Sequence, residues 1–228
     1  MNLDSIRLAV GIPCSFPTVP FSFFRSFVMM EKPDYVLITK TNGPVDVLRN
    51  DIVEKALAED ATHLIFMDVD QIYPVNTINR LLSHNLPIVG ASISRRYPPF
   101  DKIILRVNKD QNGYDSVEDW EEGSLLECDA TGTGCILYDM EVFRKLDQPW
   151  FQFIKDEETG MTIGEDIYLC QRLKDIGYKI FVDTTVEVGH LAQMVINRKT
   201  NLLYRSMKEK HHRLNLEQAL QNDNNGAA

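Results

Sequence analysis

No two cysteines in this 228-residue chain stand in a Cys-x-x-Cys spacing. Cys14, Cys128, Cys135 and Cys170 lie far apart, which points to neither a zinc knuckle nor a disulfide framework and suits small core residues. Long apolar runs are missing as well: the stretch from His63 to Met67 halts at Asp68, far short of the ~20 residues that cross a bilayer. The start, Met1-Asn-Leu-Asp-Ser-Ile-Arg7, has no signal-peptide pattern, so the chain is read as cytoplasmic. Positive charge is in deficit, with 24 Lys and Arg against 33 Asp and Glu for a net charge of −9. That balance speaks against a binder of nucleic acid polymers, which needs a basic surface to displace counterions from phosphates. What remains is ordinary: 44% hydrophobic and 25% charged residues describe a globular protein and exclude wholesale disorder.

Apolar runs alternate with helix-like segments, which predicts an α/β fold with a mostly parallel sheet. Ile6 to Val10 reads as a first strand that breaks at Gly11-Ile-Pro13. A helix follows over Val19 to Met30 with Phe21, Phe24 and Val28 on its inner face. Strands are expected at Tyr35 to Thr39, Leu64 to Met67 and Pro87 to Ser92, with helices at Val47 to Glu59 and Val75 to His84 between them. Asn108 to Asp129 is polar, and from Asp115 onward it holds seven acidic residues and no Lys or Arg, which predicts hairpins and loops. Order returns with the strand Cys135 to Tyr138 and a helix that Asp139 caps. A helix from Glu165 to Ile176 stops at Gly177, and strands follow at Lys179 to Val182 and Thr185 to Val188. Asn201 to Gln221 reads as a tail helix striped by Leu203, Met207 and Leu214, and Asn222 to Ala228 as a frayed end.

Chemistry concentrates at the ends of these elements. Nineteen aspartates predict ~1.6 Asp-x-Asp spacings from composition alone, so Asp68-Val-Asp70 means little without its context. The context is the carboxyl end of an apolar strand, where ligands bind in open α/β sheets. Two carboxylates there repel unless a cation sits between them, and hard oxygen ligands suit Mg²⁺ or Mn²⁺. The plainer alternative, a solvated strand end with turn-forming aspartates, stays open. Thr131-Gly-Thr-Gly134 feeds a strand but lacks the Gly-Lys-Ser/Thr of a P-loop, so it reads as a close approach of a ligand or of another backbone, or as a tight turn. Gly164-Glu165-Asp166 opens a helix, whose partial positive charge favours ionised carboxylates and keeps Asp166 available as a base. His190, just past a strand, is either a ligand or a hydrogen-bonded structural imidazole. Arg49, Arg95, Arg96, Arg198 and Lys199 fall where loops of one sheet edge would meet an anion, with a solvated rim as the alternative.

In this order the motifs resemble the GT-A glycosyltransferases, most closely the family 2 type, over Ile6 to Val195. The matching stretches are Gly11-Ile-Pro13, Arg49-Asn50, Phe66-Met-Asp-Val-Asp70, Thr131-Gly-Thr-Gly-Cys135, Gly164-Glu-Asp-Ile167 with Arg172, and Gly189-His190. The resemblance implies a GT-A catalytic domain over residues 1–200, built on a mostly parallel mixed sheet flanked by helices, with residues 201–228 forming an amphipathic helix and tail. It implies a metal-dependent transfer of a sugar from a nucleotide-diphosphate sugar, UDP-sugar favoured, to the hydroxyl of a glycan or other acceptor, inverting and non-processive. Mn²⁺ or Mg²⁺ would be held by Asp70 directly, by His190, and by Asp68, which would also contact ribose or metal-bound water. Asp166, with Glu165 beside it, would supply the catalytic carboxylate. Pro13, Arg49, Arg95, Arg96 and Gly134 would contact the donor, and Arg198 with Lys199 would close over its diphosphate. Cys14-Ser-Phe-Pro17 departs from the usual stretch after the first strand, and no Gln-x-x-Arg-Trp motif of processive synthases is present. The tail helix would serve a membrane surface or self-association.

Three other readings compete with this one. A haloacid-dehalogenase-type phosphatase would use Asp68 as nucleophile and Asp70 as acid/base, but Ile72 and the position deep in the chain fit it poorly. A sugar-nucleotide pyrophosphorylase would need an N-terminal Gly-rich basic loop. A non-catalytic nucleotide-sugar or carbohydrate-binding domain would have no use for Asp166.

Overall fold

A computed structural model describes residues 6–110, 113–121, 123–157 and 160–210. It divides into two compact units, Met1–Leu191 and Ala192–Ala228. In the first, a central sheet runs in the order β2-β1-β3-β10-β5-β13-β4, with β8 also paired to β13. These strands are β1 (Leu8–Cys14), β2 (Tyr35–Thr41), β3 (His63–Met67), β4 (Gln71–Ile72), β5 (Ile88–Ile93), β8 (Leu125–Cys128), β10 (Cys135–Asp139) and β13 (Ile180–His190). Pairings make β2, β1, β3, β5 and β13 run one way and β10, β8 and β4 the other, so the sheet is mixed and mostly parallel, as expected. A small sheet of β6 (Ile104–Asn108), β7 (Gly113–Ser116) and β9 (Ala130–Thr131) and a hairpin of β11 (Ile154–Lys155) and β12 (Thr162–Ile163) lie outside it.

Continuous apolar strands arise because both faces of the sheet are covered. Successive side chains of β1 and β3 go to opposite faces. Ala9, Leu64 and Phe66 pack with Ile52, Val53 and Ala56 of helix α2 (Val45–Ala58) and with Leu169 and Leu173 of helix α5 (Glu165–Asp175). Leu8, Val10, Ile65 and Met67 pack with Phe23 of α1 (Phe21–Met29) and with Ile78, Leu81 and Leu82 of α3 (Thr77–Ser83). A short helix α4 (Glu141–Arg144) follows β10; its N-cap is Met140 rather than Asp139, and Asp139 Oδ1 accepts the Glu141 N–H at 2.8 Å from one residue further out. The four thiols are free and buried, and burial pushes that of Cys128 up to about 12.

Three expectations are corrected. First, β1 does not break at Gly11-Ile-Pro13 but runs through it. A Cβ on Gly11 would press on Ile52 Cγ2 at 2.6 Å, so glycine is there for packing against α2. Pro13 is tolerated because pairing with β3 stops at Gly11, leaving only β2 alongside. Second, α1 turns Phe23 inward, while Phe21, Phe24 and Val28 are exposed. Helical period alone allowed either stripe, and the T-shaped contact of Phe23 with Tyr73, centroids 6.2 Å apart, belongs to the inward one. Third, the two late strands are one, β13, with an irregularity between Asp183 and Glu187.

The second unit contains a helix over residues 198–210 as far as it is described, with Leu203 and Met207 exposed. Leu214, Leu216, Leu220 and the tail after Asn222 lie outside the described residues. Among the described residues no helix is long and apolar enough to cross a membrane.

Candidate functional site

The sheet brings chemistry to one edge. The carboxyl ends of β1, β3, β5 and β13 and the amino end of the antiparallel β10 meet there, because β10 reverses between β3 and β5. They deliver Pro13, Asp68 with Asp70, Arg96, His190 and Gly134 to a cavity of about 770 Å³, closed on the α5 side by Glu165 and Asp166 and on the α2 side by Arg49.

At its floor lies a buried charge cluster. Arg49 is 4% exposed, and its guanidinium lies 6.0 Å from the ring centroid of Phe66 and 5.8 Å from that of Phe151. Its Nη2 donates to both Asp68 oxygens at 3.1 Å, and Nη1 pairs with Glu165 Oε1. Burial works against the charge on Arg49, but Asp68, Glu165 and Asp166 outweigh it and hold the guanidinium charged. Glu165 is pushed up by burial against the pull of Arg49. Asp166 Oδ1 accepts the Ile167 N–H at 2.8 Å, yet burial, opposed by Arg49, still raises its carboxyl above the ordinary value. Desolvation therefore outweighs the helix N-terminus, the opposite balance from that read in the sequence. Gly164 before it is required by contact: a Cβ there would lie 2.7 Å from Asp166 Oδ1.

Beside this cluster is a second group. The Asp68 N–H donates to the Gly134 carbonyl at 2.9 Å, and the Tyr73 hydroxyl donates to the Asp68 carbonyl at 2.7 Å, fixing the turn after β3. The pairing of His190 with Gln71 across β13 and β4 sets His190 Nε2 3.4 Å from Asp70 Oδ2. Arg96 Nη1 donates to the same oxygen at 2.8 Å. Burial would raise the Asp70 carboxyl, but the His190 hydrogen bond and charge, with the charge of Arg96, hold it below its usual range. Burial would lower the His190 imidazole, but Asp70 and the Ser94 carbonyl raise it.

A divalent ion here would have Asp70 and His190 as its protein ligands. His190 Nδ1 faces the Ser94 carbonyl at 2.7 Å, and its Nε2 faces Asp70 Oδ2, the oxygen that also accepts from Arg96. Buried Gln71 lines the same cavity with an Oε1 that has no hydrogen-bond partner among the described residues. Asp68 is turned to Arg49 instead, and among the described residues no group of three or more His, Cys, Asp or Glu forms a cage. Water and phosphate would complete such a shell, the usual arrangement for Mg²⁺ and Mn²⁺.

Pro13, Arg49, Asp68, Asp70, Arg96, Gly134, Glu165, Asp166 and His190 thus share one cavity. Arg95 does not line it: its Nη1 donates to the Tyr97 hydroxyl at 2.7 Å and its side chain borders two neighbouring clefts. Arg198 and Lys199 belong to the second unit, in the first turn of its helix, where Asn197 Oδ1 accepts the Lys199 N–H at 2.9 Å. Sequence reading missed Gln71, whose proximity to the Asp-x-Asp pair was a signal, and Ser15 to Pro20, whose only signal was the loop position after β1. Gly134 makes room for side chains of the chain itself: a Cβ there would fall on the Gln71 amide and 3.0 Å from Asp68 Oδ2.

The mixed, mostly parallel sheet flanked by helices on both faces is an α/β fold of the GT-A type. Among solved structures the chain is similar to GalNAc-T7 with UDP, GalNAc and Mn²⁺, with a TM-score of 0.60 and 13% identity over 84% of this chain and 45% of that one. The chain therefore spans less than half of that GalNAc-T7 chain. It is also similar to A197 from STIV, with a TM-score of 0.53 and 18% identity over 84% of this chain and 97% of that one. No family model matches the sequence, and no curated protein matches it. At these identities the likeness is one of fold.

Proposed function

We propose that the chain is a glycosyltransferase that moves a sugar from a nucleotide-diphosphate sugar, UDP-sugar favoured, to an acceptor hydroxyl, with inversion and one sugar per encounter. The observation that carries this reading is the meeting, in one cavity of about 770 Å³, of the Asp70–His190 pair and the half-buried carboxylate of Asp166. A pocket of that size is in the range of about 300–1,000 Å³ that holds ligands larger than a single ring. The GalNAc-T7 neighbour, which was crystallised with UDP and Mn²⁺, supports the choice of donor and metal.

Asp70 and His190 would hold Mn²⁺ or Mg²⁺, with Asp68 kept on Arg49. When bound, the ion offsets the charge that gathers on the departing diphosphate. Arg96, already against Asp70, is placed to add a second cation to that charge. Asp166 takes the acceptor proton as the acceptor oxygen attacks the anomeric carbon, and its burial makes it a stronger base than an exposed aspartate. Glu165 acts through Arg49 and holds the floor of the site.

The test is calorimetry against UDP-, GDP-, CMP- and dTDP-sugars with and without Mn²⁺. UDP-sugar binding that requires Mn²⁺ and is lost in Asp70→Ala is expected. Nucleotide binding unchanged in Asp70→Ala would remove the metal-donor site.

A further inference from the structure

Asp166 is a wall between two cavities. With Ile103 it borders the first cavity, and the same two residues border a second of about 960 Å³ on the far side. Its lining is half apolar and half polar: Leu105 and Val107 of β6, Tyr114 of β7, Ile163 of β12 and Gln171 of α5. Tyr114 and Gln171 hold each other, the Gln171 amide donating to the tyrosine hydroxyl at 3.2 Å. Lys174, on the same wall, is paired with Asp129.

A cleft of about 630 Å³ shares Arg95 and Tyr114 with the second cavity. Among its described lining residues are the carboxylates Asp101, Asp115, Glu118 and Asp119 and one cation, Arg95. Tyr97 stands over it, 59% exposed. The hairpin that carries Tyr97 is tied by the Ser94–Lys102 bridge and by the Arg95 N–H on the Asp101 carbonyl at 2.8 Å. Arg95 lies 5.8 Å from the Tyr97 ring centroid and holds its hydroxyl, so the ring is presented in a set orientation.

We propose that these two cavities form one acceptor groove for a neutral oligosaccharide, with the reacting sugar at Asp166 and the following sugars on Tyr114 and then Tyr97. Aromatic faces pack against the apolar faces of sugar rings, and carboxylates and amides accept and donate to their hydroxyls. The carboxylates of the outer cleft would repel a sulfated, phosphorylated or uronic-acid chain, so charge disfavours the anionic class. At the Asp166 end, the carboxylate takes the proton of the terminal hydroxyl. The freed oxygen bonds to the donor's anomeric carbon, and the bond from that carbon to the diphosphate oxygen breaks with its electron pair on the nucleoside diphosphate. This inference rests on the glycosyltransferase reading for its catalytic end, but the groove itself is testable without a donor.

The experiment uses the full chain on an array of neutral gluco-, galacto- and manno-oligosaccharides of one to six sugars, with sulfated and uronic-acid fragments as the anionic arm and no nucleotide present. Binding is expected to neutral chains of three sugars or more and to weaken by about tenfold in Tyr97→Ala, a change at an exposed ring that leaves the fold intact. Tyr114→Phe, which keeps the ring, is expected to bind more tightly than Tyr114→Ala. Preference for the anionic fragments, or affinity that is independent of both chain length and Tyr97, would overturn the groove. Donor calorimetry run in parallel separates the two failures: oligosaccharide binding without any nucleotide-sugar binding would sink the transferase reading and leave the groove standing.

Discussion

At the scale of single residues, neighbours in sequence are set to different tasks by the direction of their side chains. Arg95 and Arg96 follow β5 where the chain bends, and one turns to Tyr97 and the outer cleft while the other turns to Asp70. Glu165 and Asp166 part on the first turn of α5, the first committed to Arg49 and the second facing two cavities. Asp166 carries the sharpest prediction. Its carboxyl is raised by burial, so the folded chain holds that proton to a higher pH than the unfolded chain does, and ionising it costs stability as pH rises through the folded value. The proposed transfer needs the ionised form, so kcat/KM is expected to fall on the acid side with an apparent pKa above the ordinary aspartate value. Asp166→Asn is expected to lower kcat by about 10²-fold or more without lowering the thermal midpoint, because the isosteric amide removes the desolvated charge. A variant that keeps its turnover would assign the proton transfer to another group.

At the scale of elements, β13 decides whether the site assembles. Its irregularity between Asp183 and Glu187 lets the strand pair with β5 on both sides of the bend and reach β4, which sets His190 against Asp70. Asp183 pins that bend: Oδ1 accepts from the Thr185 N–H at 2.8 Å, and Oδ2 meets Nε of Arg80 in α3 at 2.7 Å and Nε2 of His84, just past the end of α3, at 2.6 Å. Burial alone would raise this carboxyl, but Thr185, His84 and Arg80 together hold it below the usual aspartate range. Its contribution to stability is therefore present above the ordinary aspartate value and is lost as pH falls through the lower, folded value. Asp183→Ala is expected to cost about 3–5 kcal/mol in urea unfolding at neutral pH, with the gap from the native chain closing in strong acid. A gap of the same size at low pH would mean that packing, not the carboxylate, holds the bend.

At the scale of the whole molecule, the described residues that line the central cavity run from Pro13 to His190. A chain stopped after Leu191 is expected to unfold in one cooperative transition at the midpoint of the full chain's main transition, checked by calorimetry, and its nucleotide affinity measures what Arg198 and Lys199 add. Much of the architecture was legible beforehand. Runs such as Leu64 to Met67 are apolar because both sheet faces are covered, α5 stops at Gly177 because φ there is +90°, and Asp68-Val-Asp70 stands out because it ends such a run. These are local facts, set by pleat, period and backbone freedom within a few residues, and the sequence by itself determined them. Tertiary structure alone decided that Arg49 meets Glu165 across 116 positions and that His84 meets Asp183 across 99. It also decided that Phe23 rather than Phe21 faces inward and that Arg95 leaves the cavity. Such pairings depend on strand order, on the reversal of β10 and on the bend in β13. Two segments distant in sequence carry no mark of which will be neighbours until packing against a common core chooses among the pairings that local pattern permits.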